Sequence, residues 1–150
     1  MSLGSDHIGP VSLGTTEAEV RGLGLPVARQ ERKGEGGEYT RLVVRFGDDQ
    51  VVEADLYDER VADITTTSRA FVTDRGAHVG MTLAELRALY PEGRVNIGRE
   101  EGGYFNYAIG PSPAGSFQLD ERGVPETCFD YRGECPDLGA QQSVSYYAVR

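Results

Sequence analysis

Two stretches of the chain, GTTEAEVRGL at residues 14–23 and GMTLAELRAL at residues 80–89, decide the fold. They share Gly, Thr, Ala, Glu, Arg and Leu at a constant offset of 66 positions. The same offset places Glu35-Gly36-Gly37 on Glu101-Gly102-Gly103. Self-similarity at one fixed spacing is typical of a repeated supersecondary unit. The sequence therefore predicts two copies of one structural unit.

Both stretches have the pattern of a helix start. Thr16 with Glu19, and Thr82 with Glu85, have the spacing of a capping box, in which the Thr hydroxyl and the Glu carboxylate bond otherwise free backbone N–H groups. We expect one short helix in each copy, and we expect the second helix to end at Pro91.

Alternating apolar and polar residues follow each helix start. Tyr39 to Phe46 alternates, Gly47 to Gln50 has turn composition, and Val51 to Tyr57 alternates again, so this region predicts a hairpin. Further strands are expected at Val61 to Thr67, Phe71 to Thr73, about Arg94 to Gly98, Tyr104 to Ile109, Ser116 to Leu119 and Ser143 to Val149.

Helix-then-strands units of this kind predict an α+β fold. We expect one antiparallel, curved sheet with two short helices on one face, built from two repeats at approximately residues 11–57 and 77–119. A long loop over 120–140 and a closing strand over 143–149 complete one domain, residues 1–150.

Charge and hydropathy exclude some classes of function. The chain has 24 acidic and 15 basic side chains, a net charge of −9, which argues against nucleic-acid binding because DNA is held mainly by Lys and Arg. No apolar run approaches the roughly 20 residues of a membrane-spanning helix, so we expect no transmembrane segment.

The two cysteines, Cys128 and Cys135, enclose six residues in a region rich in Gly and Pro. A disulfide here would stabilise the fold by roughly 2.5 kcal/mol, with two free thiols as the alternative. The spacing matches neither a four-ligand zinc site nor the redox Cys-x-x-Cys pattern, so no metal is predicted. A disulfide indicates an oxidising compartment. We expect a periplasmic or outer-membrane-anchored protein whose targeting segment is absent from this sequence, since the polar start has no pattern of a secretory signal.

The sequence contains no recognisable catalytic set. His7, expected in a mobile terminus, and His78, expected in a strand that links the repeats, are the only histidines. The carboxylate doublets Asp48-Asp49, Asp58-Glu59 and Glu100-Glu101 lie in or beside predicted turns, where charged side chains are usually solvated. No catalytic residue, metal or cofactor is predicted, and a carboxylate-dependent hydrolase stays as an alternative.

A candidate protein-binding face is formed by outward-pointing residues of the predicted strands. Tyr and Arg are enriched where proteins bind one another. The residues of this face are Arg41, Arg45, Tyr57, Tyr104 and Asn106. The alternative is that these side chains merely cover the second face of the sheet.

The order of motifs resembles a known family. Gly9-Pro10-Val11, the strand Val61-Ala62-Asp63-Ile64, and the stretch from Thr73 to Thr82 before the second helix resemble the bacterial envelope lipoproteins catalogued as domain of unknown function 1131. This resemblance implies a periplasmic, lipid-anchored protein with no assigned activity, and it supplies no functional residue. The duplicated unit is also similar to the beta-lactamase inhibitor proteins and small outer-membrane assembly lipoproteins, whose repeats bind proteins through an open sheet face.

The expected function is therefore that of a non-enzymatic envelope domain, protein-binding or structural, whose partner is another envelope protein. The alternatives are a secreted or periplasmic inhibitor of a hydrolase and the carboxylate-dependent hydrolase.

Overall fold

A computed structural model describes residues 1–98, 104–110, 115–120, 125–130, 135, 139 and 142–150, with the backbone alone at 97, 98, 104, 129 and 130. The strands, in chain order, are β1 (His7–Ile8), β2 (Val11–Ser12), β3 (Val27–Gly34), β4 (Gly37–Gly47), β5 (Gln50–Tyr57), β6 (Arg60–Thr66), β7 (Arg94–Gly98), β8 (Tyr104–Ala108), β9 (Ser116–Leu119) and β10 (Val144–Val149). The helices are α1 (Glu17–Arg21) and α2 (Leu83–Leu89).

Eight of the strands form one antiparallel sheet in the order β3-β4-β5-β6-β10-β9-β8-β7. Strands β3 to β6 pair with one another in chain order through short turns. Strands β7 to β10 also pair in chain order, but they cross the sheet in the opposite direction. The two sets meet where β6 pairs with β10, with Ile64 opposite Val149. An antiparallel sheet with two short helices confirms the α+β prediction.

Both helices begin at the predicted caps. The Thr16 hydroxyl accepts a hydrogen bond from the backbone N–H of Glu19 at 3.3 Å. Thr82 forms the complete capping box, because the Glu85 carboxylate also accepts from the backbone N–H of Thr82 at 3.1 Å. Such reciprocal bonds satisfy N–H groups that have no partner inside the helix, so both starts are specified locally.

The alternation of the strands places their apolar side chains on one side of the sheet, where both helices add to the same core. Val20 of α1 and Leu83 and Leu86 of α2 are buried there. The fully buried strand residues include Leu42, Val44, Val52, Ala54, Ile64, Phe117 and Tyr147. The opposite side of β4 to β6 carries the polar alternate residues.

The loop before each helix is hydrogen-bonded to the last strand of its set. The Gly14 N–H donates to the Val61 carbonyl, and the Val61 N–H donates to Thr15. In the same way, the Gly80 N–H donates to Val144, and the Val144 N–H donates to the Met81 carbonyl. Gly14 and Gly80 both have positive φ, +81° and +95°, a conformation that favours glycine.

The prediction of a mobile terminus at His7 is wrong. The N-terminal residues form the β1–β2 hairpin, which contacts β6, and Ile8 and Val11 are 0% and 1% exposed. Leu3 is also buried, and its backbone N–H donates to the Val72 carbonyl. These apolar side chains complete the core on the helix side of the sheet.

Three other local features differ from what the sequence predicts. The sequence pattern did not predict strand β3. Residues 71–73 do not join the large sheet; Val72 makes an isolated parallel bridge with Ser2. His78 lies in a loop before α2 rather than in a strand.

The predicted disulfide is confirmed. Cys128 and Cys135 are bonded and buried, with a Cα–Cα distance of 5.2 Å. Cys128 lies in a 3-10 helix, Glu126–Asp130, inside the region expected as a long loop. Most of residues 120–140 lie outside the described residues.

Candidate functional site

The open face is the side of β4, β5 and β6 that points away from the helices. Register brings Arg41, Asp55 and Asp63 into one row across these three strands. Glu53 and Arg150 add charges beside this row. We call the following five residues the charged cluster: Arg41, Glu53, Asp55, Asp63 and Arg150.

Arg41 is the centre of the charged cluster. Its Nε and Nη2 donate to the two carboxylate oxygens of Asp55 at 2.7 and 2.9 Å, and Nη1 lies 3.1 Å from Glu53. The hydrogen bonds to Asp55 raise the pKa of Arg41 further above its already high value. A bidentate pair of this kind fixes the plane and position of the guanidinium, so Arg41 is rigid before any ligand arrives.

Asp63 is the least satisfied member of the cluster. Its Oδ2 lies 3.1 Å from Arg150 Nε, but its buried Oδ1 has no hydrogen-bond partner. Burial raises the pKa of Asp63, and the charge of Asp55, directly opposite on β5, acts in the same direction, while Arg150 and Arg41 oppose it. The ionised carboxylate is therefore held at a cost in stability.

This arrangement predicts a pH-dependent gain in stability for Asp63→Asn. Because the folded-state pKa is raised, folded Asp63 retains its proton above its ordinary pKa of about 3.9, and stability falls as pH rises through that window. Asp63→Asn should raise the melting temperature by a few degrees at pH 7 and by less near pH 3.5, where wild-type Asp63 is protonated. The variant gives up the ion pair with Arg150, whose side chain is 70% exposed and contributes little, and the attraction of Arg41, whose charge is already balanced by Asp55 and Glu53.

Thermal unfolding at several pH values measures this gain. Asp48→Asn is the matched control, because it removes one negative charge at an exposed turn position. Equal gains in the two variants at pH 7 would mean that net charge, and not the environment of Asp63, is responsible.

An aromatic pair lies beside the charged cluster. Tyr39 of β4 and Tyr57 of β5 stack with ring centroids 5.2 Å apart, and the Arg41 guanidinium lies 5.9 Å from the Tyr39 ring centroid. Tyr57 is 41% exposed. We call Tyr39, Tyr57 and Arg41 the Tyr–Arg patch. Sequence alternation had placed Tyr57 and Arg41 on this face, but not the stacking on Tyr39.

The predicted face is not one patch. Arg41 and Tyr57 meet through Tyr39, and Arg45 lies farther along β4, where its Nη1 donates to the Asp48 carbonyl at 3.1 Å. Asn106 lies on β8, five strand positions away from β4, or about 24 Å across the sheet. Its Oδ1 accepts a hydrogen bond from Asn96 at 3.0 Å. The side chain of Tyr104 lies outside the described residues.

The carboxylate doublets do not form an acid–base pair in the described part of the chain. Asp48-Asp49 lies in the turn between β4 and β5, and Asp58-Glu59 forms the turn between β5 and β6, with φ of 50° and 65°. Glu100-Glu101 lies outside the described residues. Across the described ranges, no group of three or more His, Cys, Asp or Glu side chains is placed to hold a metal ion.

A Ser–His–Asp arrangement at the N-terminus had no signal in the sequence pattern. Ser2 Oγ lies 3.3 Å from His7 Nε2, and His7 Nδ1 lies 2.9 Å from Asp6 Oδ1. Acyl transfer also needs hydrogen-bond donors for an oxyanion, and the N–H after the nucleophile is a common one. The N–H after Ser2, that of Leu3, already donates to the Val72 carbonyl, and the Asp6 side chain is 75% exposed. The geometry resembles a triad in which the N–H of Leu3 is not free to hold an oxyanion.

The other histidine also has a structural contact. His78 Nδ1 lies 2.8 Å from the Val79 carbonyl oxygen, and its backbone N–H donates to Met81 Sδ.

Neither helix in the described ranges has the length and apolar character needed to cross a membrane.

An open cavity of about 920 Å³ lies beside the N-terminal residues. Leu3, Val72, Tyr90 and Ile109 contribute apolar surface, and His7 lies at its wall. The Tyr90 hydroxyl donates to the Thr73 hydroxyl at 2.7 Å, so these two polar groups of the cavity wall bond each other.

These observations define an α+β domain with a continuous antiparallel sheet and a polar, aromatic-bearing open face. The chain matches no protein-family profile and no curated protein. Its fold is similar to the crystal structure of the uncharacterized protein yfeY from Escherichia coli, with a TM-score of 0.69. The match has 14% sequence identity and covers 100% of this chain and 99% of that chain. Since the identity is so low, the likeness extends to the fold alone.

Proposed function

We propose that the chain is a non-enzymatic domain of the bacterial cell envelope, periplasmic or anchored to the outer membrane, that binds another envelope protein through the open face of its sheet. The Tyr–Arg patch is the observation that carries this proposal. It combines an exposed aromatic pair with an arginine whose position is set by two carboxylates.

Such a patch suits a binding hot spot. Tyr and Arg are enriched among the residues that contribute most to binding, and a side chain that is already ordered loses little entropy when a partner binds. The stacked rings hold each other, and Arg41 is held by Asp55 and Glu53. The patch is therefore pre-organised on a rigid sheet rather than on a loop.

The surrounding charges indicate the chemistry of the partner. Arg32 lies opposite Tyr39 on β3, is exposed, and donates to the neutral Gln30 amide at 3.0 Å. Arg45 is also exposed and donates to a backbone carbonyl. These two cations favour a partner surface with an apolar or aromatic centre and carboxylates at its rim.

The placement in the envelope is supported by the disulfide, because disulfides persist in oxidising compartments. It also draws on the resemblance to the envelope lipoproteins of domain of unknown function 1131. The E. coli neighbour is described as uncharacterized and adds the fold alone.

We also infer that the fold arose as two copies of a helix followed by four strands. The support is the equivalence of the bonds around Gly14 and Gly80, two glycines that are related by the same offset of 66 as the sequence repeat. The second set of strands has the reverse order of the first set across the sheet, so the two sets meet through their last strands, and this also supports two copies. The curvature of the sheet stays a prediction.

Replacing the aromatic pair should weaken the partner complex strongly. A photoreactive phenylalanine analogue at position 57 would identify the partner in cells, and Tyr39→Ala/Tyr57→Ala should then reduce the affinity of the purified partner by at least about 30-fold. Calorimetric titration of the two purified proteins measures the change.

Leu23→Ala is the control, because Leu23 is 38% exposed and lies outside the open face. It should leave the affinity unchanged. Equal affinities for the wild type and the aromatic variant would refute binding through the Tyr–Arg patch. A partner hydrolase that loses its activity in the complex would identify the domain as an inhibitor.

A further inference from the structure

Strand β3 lies at one edge of the sheet, and its outer edge carries backbone groups that could pair with another strand. All eight of its residues pair with β4, and its other edge has no strand partner within the described ranges. Seven of its eight residues are exposed, so both faces of the strand are accessible. The opposite edge, β7, is shorter, with five residues, and contacts the 3-10 helix. Unpaired backbone N–H and C=O groups on an accessible edge can pair with another strand.

The charges of β3 on the core side are already balanced within the chain. Arg29 Nε lies 3.0 Å from Glu31 Oε1 and 3.7 Å from Glu17 Oε1. Lys33 Nζ lies 3.7 Å from Glu38 Oε1. The edge therefore offers no unbalanced positive field on this side for an acidic peptide, and a strand of the same alternating charge fits it better.

Two-fold symmetry restricts how β3 can pair with itself. An axis perpendicular to the sheet passes through one residue position and places the residues on either side of it opposite each other. With the axis at Gln30, Arg29 lies opposite Glu31 twice, and Arg32 lies opposite Ala28. Opposite charges across a strand pair stabilise it.

The registers with the axis at Arg29, Glu31 or Arg32 each contain a like-charge pair. With the axis at Arg29, that residue faces its own copy. With the axis at Glu31, Glu31 faces Glu31 and Arg29 faces Lys33. With the axis at Arg32, Glu31 faces Lys33, but Arg32 faces its own copy on the axis. Each of these places like charges directly opposite, which destabilises the pairing.

We propose that β3 binds β3 of a second copy of this chain in antiparallel orientation, with the two Gln30 residues on the two-fold axis. The two eight-stranded sheets join into one, and both open faces point the same way. One strand pair buries less than the roughly 1,200–2,000 Å² of a standard stable interface, so the dimer is weak and reversible.

Charge exchange across the axis tests the register. Arg29→Glu places a new carboxylate opposite Glu31, and Glu31→Arg places a new guanidinium opposite Arg29. Each variant alone should self-associate at least about tenfold more weakly than wild type, since each dimer loses both complementary pairs. In an equal mixture, the two variants can also form a mixed dimer, in which one copy has Glu at positions 29 and 31 and the other has Arg at both. Each Glu then lies opposite an Arg, so the mixture should regain part of the association that each variant alone has lost. Sedimentation velocity from about 10 μM to about 1 mM covers the range of a weak dimer.

Arg69→Glu and Asp49→Arg are the matched controls, because they change the net charge by the same amounts at exposed positions outside β3. They should associate like wild type, and circular dichroism and melting temperature should show that all variants fold. A wild-type protein that stays monomeric over the whole range overturns the proposal. So does a dimer that all variants form equally, or a mixture that associates no better than its two components.

Discussion

Phe117→Ala should lower the free energy of unfolding by about 3–5 kcal/mol, the largest effect that we expect from one substitution. Phe117 is fully buried on β9. Register places it between Tyr147 of β10 and Tyr107 of β8, and its ring centroid is 4.7 Å from that of Tyr147. Removing the ring leaves a cavity between two large side chains that cannot both move inward.

The neighbours of Phe117 are tied in place, which is why the cavity should stay open. The Tyr147 hydroxyl donates to the Gly4 carbonyl at 2.9 Å, and the Tyr107 hydroxyl donates to the Tyr90 carbonyl at 2.5 Å. Collapse toward the cavity would break one of these bonds, and the cost of a large-to-small change is highest where the site cannot collapse.

Chemical denaturation measures this loss, with Phe117→Leu as the conservative control. Leu fills most of the volume and should cost less than half as much. Typical domains have only 5–15 kcal/mol of stability, so the Ala variant should unfold at a clearly lower denaturant concentration. Equal midpoints for the Ala and Leu variants would contradict a tightly packed aromatic row.

Loss of the Cys128–Cys135 bond should lower stability by about 2.5 kcal/mol. The bond closes a short loop, and the unfolded chain without it has more conformations to lose on folding. For a chain of this length, the melting temperature should fall by about 5–10 °C on reduction or in the Cys128→Ala/Cys135→Ala variant. Thermal melts with and without reductant measure the shift, and reductant should have no effect on the double variant.

The same bond tests the proposed compartment. Protein purified from its native cells and denatured without reductant should expose no free thiol by intact-mass analysis, because an oxidising compartment keeps the bond closed. Two free thiols in that sample would place the chain in a reducing compartment and remove the main support for the envelope proposal.

The sequence predicted the elements that depend on interactions between residues close together in the chain. The helix starts at Thr16 and Thr82 follow from side chains three residues apart, and the hairpin around Gly47 to Gln50 follows from turn composition and alternation. The pairing of Arg41 with carboxylates on β5 also follows, since alternation places them on one face.

Features that depend on distant partners could not be predicted in this way. Strand β3, with the sequence VARQERKG, has little apolar alternation because both of its faces are exposed, and it is held by its pairing with β4. Ile8 and Val11 lie in two-residue strands, too short to show a period. The distance between Arg41 and Asn106 depends on the strand order, which alternation does not encode.

The central position of β10 has a consequence for how the chain folds. The strands β3 to β6 pair in sequence through short turns, so their contacts form early and locally. The sheet is joined across its middle by Val144–Val149, which follows β6 in the chain only after β7, β8 and β9. During synthesis, β6 must therefore remain an uncovered edge until β10 emerges, and this interval is when we expect the chain to be most vulnerable to mispairing and to depend most on chaperones.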